Sequence, residues 1–353
     1  MTNKYLLWQE KEAGQMITRS SAPSEQTLAM LDATIWGSRD TRYRILGIAG
    51  KLARLRDPSF FVLSENGVEL CVFVVDHCYK WISGQRCGGY HFVMAATLEG
   101  RRDEGHATRI LDVVRPYMEA TVGTPGFGFA YVEETTEITL KLSEHTGHGI
   151  EAEIPLSLFS RLRPRRNSQM GKIRDDEHQA LLSRLDRFYA DHELTDFETS
   201  FRADETFVFR KGDEITASTQ VEILNWSIDS MPGLLGHLLL RVLPYVPGWA
   251  GFLNLKDLKV IRFGNLFFAD GAEADFFELA ESCLAEHGTR VGLIMLDRRS
   301  PVLKSLKSSG DFGVLSRAMT GAAKIHIDTV SMEADLRKAL AENPLFVSPA
   351  DVF

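Results

Sequence analysis

The stretch Tyr90-His-Phe-Val-Met-Ala-Ala-Thr-Leu-Glu-Gly-Arg-Arg-Asp-Glu-Gly-His-Ala-Thr108 decides the fold of the N-terminal half. Residues 90–98 are predicted to form a strand, and apolar residues at helical spacing predict an amphipathic helix over 107–122. The turn between them contains Gly105 and Ala107, whose small size lets backbone N–H groups approach an anion closely. Unpaired N–H groups and the positive dipole end of the helix favour the same ligand, so the segment suits a pyrophosphate.

Strands and helices alternate on both sides of this stretch. The hairpin signal Glu65-Asn66-Gly67 joins two β-rich runs, and Pro116 is expected to kink the long helix or end it early. The other elements predicted in the first half are strands at 15–19, 60–63, 70–75, 127–132 and 151–159 and helices at 24–33 and 136–144. This order predicts the fold class α/β, with a mixed sheet covered by helices.

The segment Arg102-Asp-Glu-Gly-His-Ala107 resembles the Arg/Gln-x-x-Gly-x-Gly/Ala signature of the GNAT acyltransferase superfamily. A later segment, Thr136-Glu-Ile-Thr-Leu-Lys-Leu-Ser-Glu-His-Thr-Gly-His148, resembles the second block of that family, Asn-x-x-Ala-x-x-Leu-Tyr-x-Lys-x-Gly-Phe. The resemblance covers roughly the first 160 residues. It implies a GNAT fold that uses acetyl-CoA as its co-substrate.

The resemblance also implies which residues hold the acyl-CoA. The strand before the signature would hold the pantetheine arm at Thr97 and Leu98, and Thr136 stands where the family has a hydrogen-bonding asparagine. The residues implied to line the pyrophosphate are Arg102, Asp103, Glu104, Gly105, His106, Ala107 and Thr108.

Three positions depart from the family pattern. Asp103 and Glu104 are acidic, and acidic side chains repel a diphosphate unless they point to solvent or neighbouring basic residues offset them. Ser143 stands where the family has a tyrosine that protonates the departing thiolate, and serine is too weak an acid for that role. The proton therefore comes from another residue, or catalysis rests on positioning alone, or the domain only binds.

Carboxylates near the loop are the candidates for the general base. An amine that attacks a thioester loses a proton, which a carboxylate or imidazole commonly takes. Glu99 follows the strand before the loop, and Glu133 and Glu134 end the next strand, so the catalytic candidates are Glu99 and Glu133. A solvated carboxylate at a strand end is nevertheless the more common situation. His91 and Tyr131 are weaker candidates.

The second half of the chain follows the same order of elements without a residue-level repeat. We interpret it as a degenerate second GNAT-like fold, because Gly271-Ala-Glu-Ala-Asp275 lacks the arginine and second glycine of the phosphate loop. The predicted domains are 1–165 and 179–353, in tandem, with a linker at 166–178. Helices are expected at 179–192, 234–243, 272–287 and 301–309, and strands at 206–210, 216–223, 260–268, 291–296 and 323–330.

The apolar C-terminal tail, Asn343-Pro-Leu-Phe-Val-Ser-Pro-Ala-Asp-Val-Phe353, has two interpretations. Phe353 docks near the acceptor site, or the tail packs on its own domain or at a dimer contact, which is the more common situation. Leu238-Leu-Leu240 and Phe276-Phe277 likewise suit either the core or a homodimer interface, with the core as the default.

Composition excludes several classes of protein. The chain has 353 residues and a formal net charge of −8, which does not suit a general nucleic-acid binder. Its four cysteines are not at zinc-finger spacing, so no metal site is expected. The N-terminus becomes polar too soon for a signal peptide, and prolines and charges break the longest apolar stretch, 231–249. A cytoplasmic location is the default expectation.

These observations predict an N-acetyltransferase that moves an acetyl group from acetyl-CoA to a small-molecule or peptide amine. No nucleic acid, membrane or metal is expected to take part. One alternative is a non-catalytic acyl-CoA sensor or interaction protein, which the missing tyrosine and the acidic loop favour. Another is an amino-acid transferase that uses charged tRNA, which the acidic net charge disfavours.

Overall fold

The computed structural model describes residues 4–37, 41–133, 149–231, 254–317 and 322–351. The described residues form two compact units. Unit 1 consists of the residues up to 151 together with 324–341, and unit 2 of residues 152–323 together with 342–351. The limits 1–165 and 179–353 expected from the sequence differ from this division at 152–165, which belongs to unit 2, and at 324–341, which belongs to unit 1.

The strands follow the order expected from the sequence, with unpredicted strands added at 4–10, 36–37, 42–45 and 170–172. They are β1 Lys4–Glu10, β2 Gln15–Ser20, β3 Trp36–Gly37, β4 Arg42–Ile45, β5 Pro58–Glu65, β6 Val68–Ile82, β7 Gln85–Thr97, β8 Gly126–Glu133, β9 Ile150–Ser160, β10 Met170–Lys172, β11 Thr206–Lys211, β12 Glu214–Ser230, β13 Leu258–Phe268, β14 Val291–Met295 and β15 Ala322–Val330.

The helices lie close to their predicted positions, except for three at 48–52, 197–200 and 334–342 that were not predicted. They are α1 Glu25–Ala33, α2 Ile48–Leu52, α3 His106–Val122, α4 His178–Phe188, α5 Phe197–Ser200, α6 Glu273–Glu286, α7 Pro301–Ser309 and α8 Ala334–Glu342. The helices predicted at 136–144 and 234–243 both lie outside the described residues. In the part of the chain that the structure describes, none of the helices combines the length and apolar character that crossing a bilayer requires.

The sheet of unit 1 has the strand order β1-β2-β5-β6-β7-β8-β15. Neighbours from β1 to β7 are antiparallel, and β7 and β8 are parallel, as a strand–helix–strand connection through α3 requires. The last neighbour, β15, comes from the C-terminal part of the sequence. It supplies β8 with a hydrogen-bonding partner, which explains why residues 324–341 belong to this unit.

Helices cover both faces of the central strands of unit 1. Side chains alternate between the two faces of a strand, so Phe61 and Leu63 pack against α3 whereas Phe60 and Val62 pack against α1 and α2. Strand β5 is therefore almost wholly buried, as its apolar run indicates.

The start of α1 and the end of α3 have different causes. Ser24 caps α1 by accepting a hydrogen bond from the Thr27 backbone N–H at 3.0 Å, as predicted. Helix α3 continues past Pro116 to Val122, so the expectation of an early end is wrong. Val114 and Met118, on either side of the proline, are fully buried, and this packing offsets the hydrogen bond that Pro116 cannot donate.

Unit 2 has a sheet with the strand order β9-β14-β13-β12-β11-β10. Strands β13 and β14 are parallel and are connected through α6, and the other neighbours are antiparallel. Its core is rich in phenylalanine, and Phe276 and Phe277 are both buried in it, so the core interpretation of this pair is confirmed. Strand β10 lies within the segment 166–178, which was predicted to be a linker.

Candidate functional site

Two parallel strands part in the middle of the unit 1 sheet. The register of β8 on β7 ends at the pair Phe92–Ala130. Strand β7 nevertheless continues to Thr97, and β8 to Glu133. Among the described residues, the facing edges of the two strands have no further register pairs beyond this point. The sheet therefore opens there into a wedge whose sides carry backbone hydrogen-bonding groups.

A β-bulge lies where this wedge begins. On the other side of β7, Val74 of β6 pairs with Met94 whereas Val75 pairs with Phe92, so Val93 is the extra residue. A bulge bends the strand and leaves one residue out of the ladder. Val93 also directly follows the last residue of β7 that pairs with β8. The bulge thus turns β7 away from β8 and places the backbone of Val93 at the apex of the wedge.

The turn between β7 and α3 adopts the conformation that the sequence predicts for an anion-binding loop. Gly105 is the N-cap residue of α3, with φ 77° in the left-handed region that favours glycine. It offers no side chain to cap the helix, and the first turn of α3 contains no acidic residue. The first N–H groups of a helix have no partner within the helix, so this end of α3 suits an anion.

The acidic residue Glu104 is held by an arginine. The Arg101 Nε donates to the Glu104 carboxylate at 2.8 Å, and the Arg101 Nη2 lies 3.2 Å from Oε2 of Glu65. Hydrogen bonds from Gln15 and Arg101 lower the pKa of Glu65. Arg101 therefore ties the loop to the β5–β6 hairpin and lies against the Glu104 carboxylate, which reduces the negative charge that Glu104 presents at the loop.

The remaining loop residues divide into exposed and buried side chains. Arg102 and Asp103 are exposed, and Asp103 has a positive φ of 66°. Ala107 and Thr108 are partly exposed in the first turn of α3. The His106 side chain is buried, with its Nε2 3.2 Å from a Glu104 carboxylate oxygen. The loop therefore presents its backbone, Arg102 and Asp103 to solvent, whereas His106 packs beneath it.

The strand that the resemblance assigns to pantetheine is partly buried at its end. The Thr97 hydroxyl donates to the Cys71 thiol at 3.3 Å, and the Leu98 backbone N–H donates to the Leu70 carbonyl at 2.8 Å. Burial raises the pKa of the Cys71 thiol to about 11, so this cysteine is a neutral, unreactive thiol.

No protein-family model matches the sequence, and no curated protein matches it. The structure is similar to N-myristoyltransferase from Saccharomyces cerevisiae with bound myristoyl-CoA, at a TM-score of 0.57 and 9% identity, covering 88% of this chain and 82% of that chain. A second structure of that enzyme with myristoyl-CoA has a TM-score of 0.58 at 9% identity, covering 88% and 78%. The chain has the GNAT fold. A GCN5-related N-acetyltransferase from Sphaerobacter thermophilus is less similar, at a TM-score of 0.46 and 11% identity, covering 80% and 84%.

The two catalytic candidates lie on different elements of unit 1. Glu99 is exposed on the turn that follows β7. Glu133 is the last residue of β8, on the other side of the wedge, and its side chain lies outside the described residues. Glu134, Thr136 and Ser143 also lie outside the described residues. Their roles stay predictions.

Two weaker candidates share one face of the sheet near the apex of the wedge. His91 is 3% exposed and stacks on Phe129 with ring centroids 4.6 Å apart. Tyr131, the residue after the last paired position of β8, contacts the same histidine edge-on at 5.9 Å. Phe129 and Tyr131 also meet edge-on, with ring centroids 6.0 Å apart. His91 is thus a packed core residue, and Tyr131 borders the wedge.

Sequence reasoning missed two features of this site. The bulge at Val93 has no signal in the sequence, because a bulge depends on the register of two strands. The contact of Arg101 with Glu65 joins two turns that are 36 residues apart in sequence. The sequence indicates this contact only through the positive charge of Arg101 next to an acidic loop. That charge indicates that Arg101 pairs with a carboxylate, but not with which one.

Proposed function

We propose that unit 1 binds acyl-CoA and that the chain transfers the acyl group, acetyl in the simplest case, to an amine. The observation that carries this proposal is the wedge between β7 and β8 next to the helix N-terminus at Gly105. A wedge lined by backbone groups suits the amides of pantetheine, and the N-terminus of α3 suits the diphosphate that follows them in coenzyme A. The GNAT fold supports the assignment.

In the proposed complex the pantetheine arm lies along residues 93–97 of β7. Its amide groups extend the sheet in place of β8, and the diphosphate meets the N–H groups of the first turn of α3. Arg102 is exposed at the loop and supplies positive charge to the diphosphate. The thioester then lies at the apex of the wedge, next to Val93.

The proposed reaction is a direct transfer. The amine nitrogen attacks the thioester carbonyl carbon, the C–S bond breaks, and the coenzyme A thiolate takes up a proton while the new amide loses one. Backbone N–H groups at the apex stabilise the negative charge that develops on the carbonyl oxygen. Glu133 or Glu99 takes the proton of the amine. A covalent step on Cys71 is disfavoured, because burial raises its pKa to about 11.

Titration calorimetry with acetyl-CoA, myristoyl-CoA and free coenzyme A tests the proposal. Myristoyl-CoA is included because the similar N-myristoyltransferase structure holds it. We expect one equivalent of an acyl-CoA to bind, and thiol release when a suitable small-molecule or peptide amine is added. Binding without thiol release across an amine panel would favour the acyl-CoA sensor. No binding of any of the three ligands to the folded protein would end the proposal.

Removing the charge of Arg101 is expected to weaken coenzyme A binding. In Arg101→Gln the Glu104 carboxylate loses its 2.8 Å partner, and its unpaired charge lies beside the diphosphate. Partly exposed charges at a helix N-terminus have modest effects, so we expect the Kd for free coenzyme A to rise about fivefold to tenfold. Calorimetry checks the value.

The double variant Arg101→Gln/Glu104→Gln separates this effect from a structural one. It is expected to bind coenzyme A about as tightly as the wild type, because the Glu104 carboxylate beside the diphosphate is gone. Arg166→Gln, which breaks a 3.0 Å surface ion pair with Glu286 in unit 2, is the matched control and leaves the Kd unchanged. A double variant that binds as weakly as the single variant would contradict the explanation.

A further inference from the structure

Backbone closes the apex of the wedge in the plane of the unit 1 sheet. Strands β7 and β8 are paired up to Phe92–Ala130. A ligand that lies beside β7 from Thr97 to Val93 therefore meets the backbone of Ala130 when it reaches the apex. Any group that extends beyond the thioester has to leave the plane of the sheet towards one of its two faces.

On the face that α3 covers, two aromatic rings of β7 lie behind the apex. Phe92 belongs to the last pair, and its ring meets the Tyr90 ring edge-on with centroids 5.2 Å apart. The Tyr90 side chain is 1% exposed and packs in the core beneath α3. Its ring also reaches across to β8, because a Cβ atom on Gly128 would lie 2.3 Å from two of its atoms. A chain that turned to this face would meet both rings.

On the opposite face, a stacked pair of rings lies behind the apex. Side chains alternate along a strand, so His91 points away from α3, and its register partner Phe129 shares that face. The two rings stack with centroids 4.6 Å apart and belong to fully buried residues. The pair lies one residue before the last pair of β7 and β8, and therefore directly behind the wedge.

The Tyr131 ring lies between this stack and the wedge. Tyr131 shares the face of Phe129, two residues earlier on β8, and is the first residue of β8 beyond the last pair. Its ring meets His91 of β7 edge-on at 5.9 Å and Phe129 of β8 edge-on at 6.0 Å. It thus contacts one ring on each strand at the point where the strands part. We call Tyr90, Phe92, His91, Phe129 and Tyr131 together the apex wall.

The apex wall is held in place by further rings. Phe92 meets Phe73 of β6 edge-on at 6.2 Å, and Phe127 stacks against Phe129 at 5.8 Å. Protein interiors are close-packed, so extra methylene groups enter them only when side chains leave their preferred rotamers or the backbone shifts. A longer acyl chain at the apex would therefore have to displace rings that other rings support from behind.

We propose that unit 1 takes short acyl groups, acetyl or propionyl, and that the Tyr131 ring limits their length. The inference rests on the proposed function of unit 1. The GNAT fold by itself leaves the length open, because a similar structure holds myristoyl-CoA. Tyr131 is the member of the apex wall that lies beyond the last strand pair, and it is half-buried, so its ring is the first that a growing chain would meet on its face.

A comparison of acyl chain lengths on the wild type and on Tyr131 variants tests the inference. Calorimetry gives the Kd values of free coenzyme A, acetyl-CoA and octanoyl-CoA for each folded protein. The measured quantity is the ratio of the octanoyl-CoA Kd to the free coenzyme A Kd, in which a general change of the coenzyme A site cancels. We expect a ratio of at least about 10 in the wild type. Tyr131→Ala should lower the ratio at least about tenfold, whereas Tyr131→Phe keeps the ring and should keep the ratio.

The outcomes distinguish this inference from the proposed function. Wild-type protein that binds octanoyl-CoA as tightly as acetyl-CoA and free coenzyme A would overturn the length limit alone. An unchanged ratio in folded Tyr131→Ala would overturn the role of the ring, and Tyr131→Leu takes its place if the alanine variant does not fold. If none of the three ligands binds, the function proposed for unit 1 fails and the length limit fails with it.

Discussion

Gly105→Glu is expected to raise the Kd for coenzyme A by at least about 100-fold. The variant places a carboxylate at the N-cap of α3, where it takes the hydrogen bonds and the dipole interaction proposed for the diphosphate and repels that group. An added Cβ meets no atom within 4 Å, so the side chain itself causes no clash. Calorimetry with free coenzyme A measures the effect independently of the acyl chain.

Unit 2 offers a matched control for this substitution. Gly271 precedes α6, has φ 72°, and likewise has no atom within 4 Å of an added Cβ. Both glutamate variants place a side chain in the left-handed region, which lowers the free energy of unfolding by about 1 kcal/mol in each. Gly271→Glu is expected to leave the Kd for coenzyme A unchanged. An equal loss in both variants would show that the effect is general destabilisation and not blockage of the loop.

Gly128→Val is expected to lower the free energy of unfolding by about 3 kcal/mol. Gly128 lies opposite Tyr90 in the parallel pair that ends at the apex of the wedge. A Cβ at this position would lie 2.3 Å from two atoms of the Tyr90 ring. The ring is 1% exposed and contacts Phe92 at 5.2 Å, so it cannot move without displacing the core against which α3 packs. Urea denaturation measures the loss.

Gly149→Val is the control for this prediction. Gly149 is exposed, and an added Cβ meets nothing within 4 Å, so we expect a change below about 0.5 kcal/mol. A Gly128 variant as stable as the wild type would mean that the Tyr90 ring has room to relocate. Contacts other than the one between Gly128 and Tyr90 would then determine the geometry of the parallel pair of β7 and β8.

Most helices and strands of the described residues are predictable from local patterns. The buried run 60–63, the Ser24 cap and the apolar spacing within α3 each act over a few residues, so the local sequence is enough to predict the element that each one forms. The glycine-containing loop between β7 and α3 belongs to the same class, because a strand, a left-handed glycine and a helix start follow one another directly. The end of α3 is the exception, because the rule that proline ends a helix takes no account of the buried side chains around Pro116.

Features that depend on partners distant in sequence are not predictable in this way. The charge of Glu104 looks unfavourable until Arg101 is seen beside it. The bulge at Val93 exists only relative to the register of β6. The C-terminal tail shows the same limit. Its apolar composition predicts that it packs on another part of the protein but not on which part. The described residues of the tail, up to Asp351, pack on unit 2, and Phe353 lies outside the described residues.

The sequence by itself determined the order of the elements, the mixed α/β class and the loop that starts α3, because hydrophobic spacing and turn residues act locally. Only the tertiary structure decided that β15 completes the sheet of unit 1, that Arg101 pairs with Glu104, and that residues 343–351 pack on unit 2. The physical reason is that strand edges, charges and apolar side chains have many acceptable partners, and the packing of the whole chain selects among them.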